Sequence, residues 1–67
     1  MFSEQLRKLR RLNNLTQTEL SKLLNVSNGT IAMWETDKRQ PDIDTLKKLA
    51  NFFNVTTDYL LGKDIKD

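Results

Sequence analysis

Only three or four residues, around Asn25-Val26-Ser27, separate two segments that both read as helix, and a connection that short makes the helices meet at a sharp angle. The first segment is "TQTELSKLL", 16 to 24. Its Thr16 and Glu19 form the pattern T-x-x-E, in which each side chain satisfies the other's free backbone N–H, so the helix opens on a capping box. Leu15 ahead of it and Leu20 inside it are placed as a hydrophobic staple. Asn25 tolerates the left-handed backbone of a helix exit, and Ser27 is a strong cap for the next helix. The second segment, "NGTIAMWE", begins with Asn28, Gly29 and Thr30, whose intrinsic preferences favour almost anything but helix. A first turn made of such residues points to selection for contact rather than for stability. Ile31 and Trp34, three apart, share a side that reads as core.

The remaining chain also has helical periodicity and no strand pattern. Leu6, Leu9 and Leu12 recur at helical spacing, with Ser3 as the expected N-cap and Asn13-Asn14 at the exit. After "ETDKRQP", Pro41 and Asp42 signal a new start. Leu46, Leu49, Ala50 and Phe53 then form an apolar stripe, Val55 follows the exit, and "TTDYLL" makes a last short helix capped by Thr56 or Thr57. The expected fold is an all-α, compact five-helix domain over residues 1–62, stopped by Gly62, with residues 63–67 as a charged tail.

Composition removes whole classes of function. A chain of 67 residues supports one small core, which leaves little room for multi-step chemistry in a deep cleft. Without cysteine there is no disulfide or thiolate site, and without histidine the commonest general base and metal ligand are both missing. The expectation is therefore no catalytic residue, no metal, no cofactor and no small-molecule substrate. No apolar run approaches a membrane span, and "MFSEQLRKLRR" lacks the apolar stretch of a signal peptide, so a cytoplasmic protein with no membrane partner is expected. The formal net charge of +2 says little, but its distribution says more. Arg7, Lys8, Arg10 and Arg11 crowd the first segment and Lys38 and Arg39 the middle, whereas Asp42, Asp44, Asp58, Asp64 and Asp67 gather toward the other end. A basic face opposite a more acidic end results; on charge alone an ordinary solvated surface fits as well.

A capped helix, a tight turn and a short third helix form a helix-turn-helix, and here the chain resembles a known family. "LRKLR" (6–10), "LTQTEL" (15–20), "LLNVS" (23–27), "TIAMWE" (30–35), Pro41, "LKKLANFFNV" (46–55) and "DYLLG" (58–62) are similar, in order and spacing, to the Cro/repressor-type (XRE) family of phage and bacterial regulators. The resemblance implies a lambda-repressor-like DNA-binding domain whose third helix lies in the major groove with its first residues at the base edges. On that basis Asn28, Gly29, Thr30 and Met33 are the expected base-contacting positions, and Gln17, Ser27, Lys38 and Arg39 the expected phosphate contacts. The asparagine amide matches the N6/N7 edge of adenine; glycine lets the backbone approach. The resemblance also implies a buried ion pair between Arg10 and Glu35, joining helix one to the end of helix three. Glu35 as a catalytic carboxylate is the competing idea, and no second positioned base accompanies it.

Alternatives stay open at several positions. Asn28 and Gly29 also fit a helix start arranged for local backbone reasons, Gln17 an ordinary first-turn helix residue, Ser27 a cap and nothing more, Lys38 and Arg39 a solvated loop. Met33 departs from the polar reader usual in the family, which leaves either apolar contact with a thymine methyl or a solvent-facing, loosely packed methionine. Asn14, Asn25 and Asp37 stand where glycine is frequent, and Ser21 where alanine is usual. The function implied is a transcriptional regulator, a repressor, acting as a homodimer on double-stranded operator DNA, with Phe52, Tyr59 and Leu60 as interface candidates or, equally, as core. The other readings are an antitoxin or accessory protein whose main partner is a protein, and a protein-binding module without DNA affinity. The chain is read either as a full regulator or as the N-terminal domain of a longer one.

Overall fold

A computed structural model describes residues 2–63. Within them the chain forms α1 (Phe2–Leu12), α2 (Gln17–Leu24), α3 (Asn28–Glu35), α4 (Ile43–Phe53) and α5 (Thr57–Leu60), and no strand. Four of the starts are capped by side chains. Thr16 Oγ1 accepts the Glu19 N–H at 3.0 Å while Glu19 Oε1 accepts the Thr16 N–H at 2.8 Å, completing the capping box. Ser27, Asp42 and Thr56 accept the N–H groups of Thr30, Thr45 and Tyr59 in the same way. All three caps lie where the sequence predicts them; between Thr56 and Thr57 the structure selects Thr56.

One device ends every helix. Asn14, Asn25, Asp37, Asn54 and Gly62 have positive φ, of 57°, 59°, 66°, 58° and 78°. After each, the next N–H reaches back to a carbonyl five residues earlier: Leu15 to Arg10, Val26 to Ser21, Lys38 to Met33, Val55 to Ala50 and Lys63 to Asp58. At Asn14, Asn25, Asn54 and Gly62 the left-handed residue's own N–H bonds back as well, which makes these four Schellman closures; Asp37 has the outer bond alone, and asparagine is used three times where glycine is the commoner choice. Three connections thus share one formula, Asn, an aliphatic residue, then a capping hydroxyl: Asn14-Leu15-Thr16, Asn25-Val26-Ser27 and Asn54-Val55-Thr56. The aliphatic residue packs against the core in each case.

The core is built from Phe2, Leu6 and Leu9 of α1, Leu20 of α2, Ile31 and Trp34 of α3, Leu49, Ala50 and Phe53 of α4, and Leu60 of α5. Full burial of a leucine or isoleucine contributes roughly 1.5 to 3 kcal/mol, and Leu6, Leu20, Ile31, Leu49 and Leu60 are all fully enclosed. Phe2 meets Trp34 edge-on, the ring centroids 6.4 Å apart. Helix α3 packs on both α1 and α2, while α5 closes against α1 and α4.

Several sequence expectations need correction. Helix α1 starts at Phe2, so Ser3 lies inside the helix and is buried rather than capping it. Leu12 is 69% exposed: it lies about 60° round the helix from Leu9, at the end of the buried stripe. Leu60 is wholly core and Tyr59 half-buried against it, which leaves only Phe52 of the three interface candidates exposed. Of the basic residues in α1, Arg7 and Arg10 turn toward α3, so the exposed basic pair there is Lys8 and Arg11. Of the tail assigned to 63–67, residues 64–67 lie outside the described residues.

Candidate nucleic-acid interface

Helix α3 has one buried side, formed by Ile31, Trp34 and Glu35. At about 100° per residue, Gly29, Ala32, Met33 and Thr36 fall together on the opposite side, and Asn28, in the first turn, stands exposed at its edge. Asn28, Gly29 and Thr36 are exposed and Ala32 and Met33 half-buried, so the open face is small, weakly polar and centred on two residues without long side chains. The amide of Asn28 makes no hydrogen bond with any described residue. Local backbone bonding thus does not account for its presence.

Gly29 is equally unexplained from within. Its φ is not in the left-handed region, and a Cβ built on it would meet only Ser27 Oγ, at 3.9 Å. Glycine in a helix costs up to about 1 kcal/mol relative to alanine, and the fold returns nothing for it here. Thr30 turns to the flank of the open face and is half-buried. Its N–H and hydroxyl both bond to Ser27 Oγ, at 3.1 and 2.8 Å. Two hydroxyls sharing one hydrogen leave one O–H for an outside acceptor, so Ser27 serves as a cap and the pair still has a donor to offer.

The angle of α3 is set by a polar network at its far end. Arg10 donates from Nε to Glu35 Oε2 at 2.6 Å and from Nη2 to Glu35 Oε1 at 3.0 Å, a bidentate pair. Arg10 Nη1 also donates to the Leu15 carbonyl at 2.9 Å, and Arg7 Nη1 to the Glu35 carbonyl at 2.8 Å, closing the C-terminus of α3. Gln17 Nε2 donates to Glu35 Oε1 at 3.1 Å. Glu35 is 2% exposed, and no buried side-chain polar atom among the described residues lacks a partner. The hydrogen bond to Glu35 and that residue's negative charge hold the Arg10 guanidinium above its ordinary pKa against the opposing effect of burial, so the arginine stays charged.

The structure therefore joins two groups that the sequence keeps apart. Gln17, expected at phosphate, also belongs to the Arg10–Glu35 network; one amide N–H is committed to Glu35 and the other remains. Arg7, in sequence only a surface charge, is a cap on α3. Thr36 lies one residue beyond the end of α3, yet it continues the open face and donates its hydroxyl to the Ala32 carbonyl at 2.8 Å; no sequence signal marks it. Lys38 and Arg39 are exposed, and their N–H groups both reach the Met33 carbonyl, which ties the loop to the end of α3. Among the described residues no cluster of His, Cys, Asp and Glu is arranged to hold a metal, and no helix is long and apolar enough to cross a membrane.

A capped α2, a three-residue turn and an α3 with one side in the core and one side open define a helix-turn-helix domain. The chain belongs to the helix-turn-helix family, whose model matches residues 6–60. It is 48% identical over 63 residues to the HTH-type transcriptional regulator ImmR of Bacillus subtilis (strain 168), covering 94% of this chain and 50% of that protein. A crystal structure of a transcriptional regulator from Listeria innocua superposes with a TM-score of 0.88 at 31% identity, over 100% of this chain and 62% of that one. The solution structure of the DNA-binding domain of the P22 C2 repressor superposes at 0.84 and 30% identity, over 98% of this chain and 87% of that one. The chain spans about half the length of the curated regulator it matches.

Proposed function

We propose that this chain binds double-stranded operator DNA sequence-specifically through the open face of α3 and regulates transcription by repression, as a homodimer in the cytoplasm. The observation that carries this reading is the pair Asn28-Gly29: a free amide beside a glycine the fold does not require, at the exposed start of α3. The naming of its relatives as regulators and repressors supports it. In this account Asn28 reads an adenine, Gly29 lets the backbone approach the base edges, and Met33 contacts a thymine methyl. Thr30 stands at the edge of the groove, and the O–H left over between it and Ser27 goes to the sugar-phosphate backbone. Gln17, at the positive end of α2, takes a phosphate with its remaining N–H, and Lys38 and Arg39 add backbone contacts from the loop.

One short helix reads few base pairs, which favours two copies on a near-palindromic site. Half-sites one DNA turn apart place recognition helices about 34 Å from each other. Selection of bound sites from random duplexes tests the reading. Enriched sites with two half-sites one turn apart, bound with a log affinity that falls by about 0.9 per phosphate for each decade of salt, are expected. Failure to enrich any sequence, with binding insensitive to salt, would overturn it.

A further inference from the structure

The same dipeptide has chemistry of its own. An asparagine followed by glycine can close on itself: the backbone nitrogen of the second residue attacks the side-chain carbonyl of the first, and glycine offers no side chain to hinder the approach. We infer that Asn28-Gly29 is a self-modification site at which this protein loses the proposed DNA-reading amide with age, an inference that rests on the DNA-binding reading for its consequence but not for its chemistry.

The other asparagines show why the reaction selects this one. The N–H that would have to attack is committed after each of them: Asn14 donates to Arg11, Leu15 to Arg10, Val26 to Ser21 and Val55 to Ala50, and Phe52 lies inside α4. The residues after Asn14, Asn25, Asn51 and Asn54 are also bulky, namely Leu15, Val26, Phe52 and Val55. Gly29 N–H, one of the orphan donors of the first turn of α3, has no acceptor among the described residues. The Asn28 amide is exposed and unrestrained. A helical backbone holds the two groups apart, so the first turn must open, and its tether is the Ser27 cap with the bonds to Thr30 at 3.1 Å and 2.8 Å. Helix ends open at far lower cost than the whole fold.

In the reaction the Gly29 nitrogen gives up its proton to solvent base and bonds to Asn28 Cγ. The Cγ–Nδ2 bond breaks, and the amide nitrogen leaves as ammonia with a proton from solvent. Water then opens the cyclic imide at one of its two carbonyls, leaving aspartate or isoaspartate at 28. Aspartate retains the helix, since a negative charge is favourable at a helix start, yet it sets that charge against the proposed phosphate-rich partner. Isoaspartate lengthens the backbone by one carbon and disrupts the first turn. Either product removes the donor-acceptor pair that matches adenine.

The experiment is incubation of the intact chain at mildly alkaline pH, with peptide mapping by mass spectrometry and separation of the isoaspartyl product. Conversion at residue 28 is expected about tenfold or more faster than at Asn14, Asn25 or Asn54, to slow by a similar factor in Gly29→Ala, and to quicken in Ser27→Ala. Conversion at 28 no faster than at the others would overturn the inference, whatever the DNA result. With the operator selected above, aged protein and Asn28→Asp should both bind at least about tenfold more weakly than fresh protein while remaining folded. Rapid conversion with unchanged affinity would leave the chemistry standing and overturn Asn28 as the reader.

Discussion

Arg10 and Glu35 stand 25 positions apart in the chain and meet through two hydrogen bonds, of 2.6 and 3.0 Å, that lock the end of α3 to α1. The arginine side chain is 12% exposed and the glutamate 2%. Removing one partner of such a pair leaves a charge without compensation, so Glu35→Ala should lower unfolding free energy by about 3 kcal/mol in denaturant titration. A loss below about 1 kcal/mol, the range of exposed pairs, would contradict the burial. The folded pKa of Arg10 is raised, so its share is complete below the unfolded value and lost only as pH climbs through the folded one. That window lies in strong alkali, and the arginine contributes no pH dependence near neutrality.

Asn54 tests the helix closures away from the proposed interface. Its φ of 58° is left-handed, which alanine adopts at a cost of about 1 kcal/mol and glycine adopts freely. Asn54→Ala should therefore lower the melting temperature while Asn54→Gly leaves it unchanged or raises it. Equal melting temperatures for the two variants would mean that the left-handed turn is not the native one.

Gly29 separates stability from function. Gly29→Ala should stabilise the fold by about 0.5 kcal/mol, because its Cβ meets only Ser27 Oγ at 3.9 Å and the unfolded chain loses freedom. Its operator affinity should fall by at least about tenfold, read by fluorescence anisotropy. A variant that is both more stable and fully competent would remove the close-approach role.

Asp42 supplies a pH signature. The hydrogen bonds from Thr45 hold its carboxyl below the ordinary carboxylate range, so its capping contribution is present above the unfolded pKa and lost as pH falls through the folded one. The Thr45 amide resonance should report that loss in acid. Titration of this amide at or above the usual carboxylate range would show the cap to be unformed.

The caps and turns are legible in sequence because each is a local contract. Thr16 with Glu19, Ser27 with Thr30 and Asp42 with Thr45 all span three positions. The exits are partly legible: Asn14 and Asn25 read as left-handed residues, but the recurring formula of Asn, an aliphatic residue and a hydroxyl emerges only from the structure, although it stands three times in the sequence. Gln17 illustrates what local reading cannot supply. Its bond to Glu35 joins residues 18 positions apart and depends on how α2 crosses α3. Leu60 and Leu12 escape it for the same reason, since periodicity places a leucine on a face but not against a neighbour. The Arg10–Glu35 pair is foreseeable only through resemblance to a family.

The central claim is that α3 reads bases while α2 holds the backbone, and the affinities of Asn28→Ala and Gln17→Ala across every single-base variant of the selected operator test it most directly. Both variants should fold, Gln17→Ala because Arg10 still supplies Glu35 with two hydrogen bonds. Asn28→Ala should cost roughly 1 to 3 kcal/mol on the preferred operator and flatten the preference at one position in each half-site, leaving the other positions in their order. Gln17→Ala should weaken every variant by a similar factor. If Asn28→Ala lowers all variants equally, or changes none, the reading assigned to the open face of α3 is wrong.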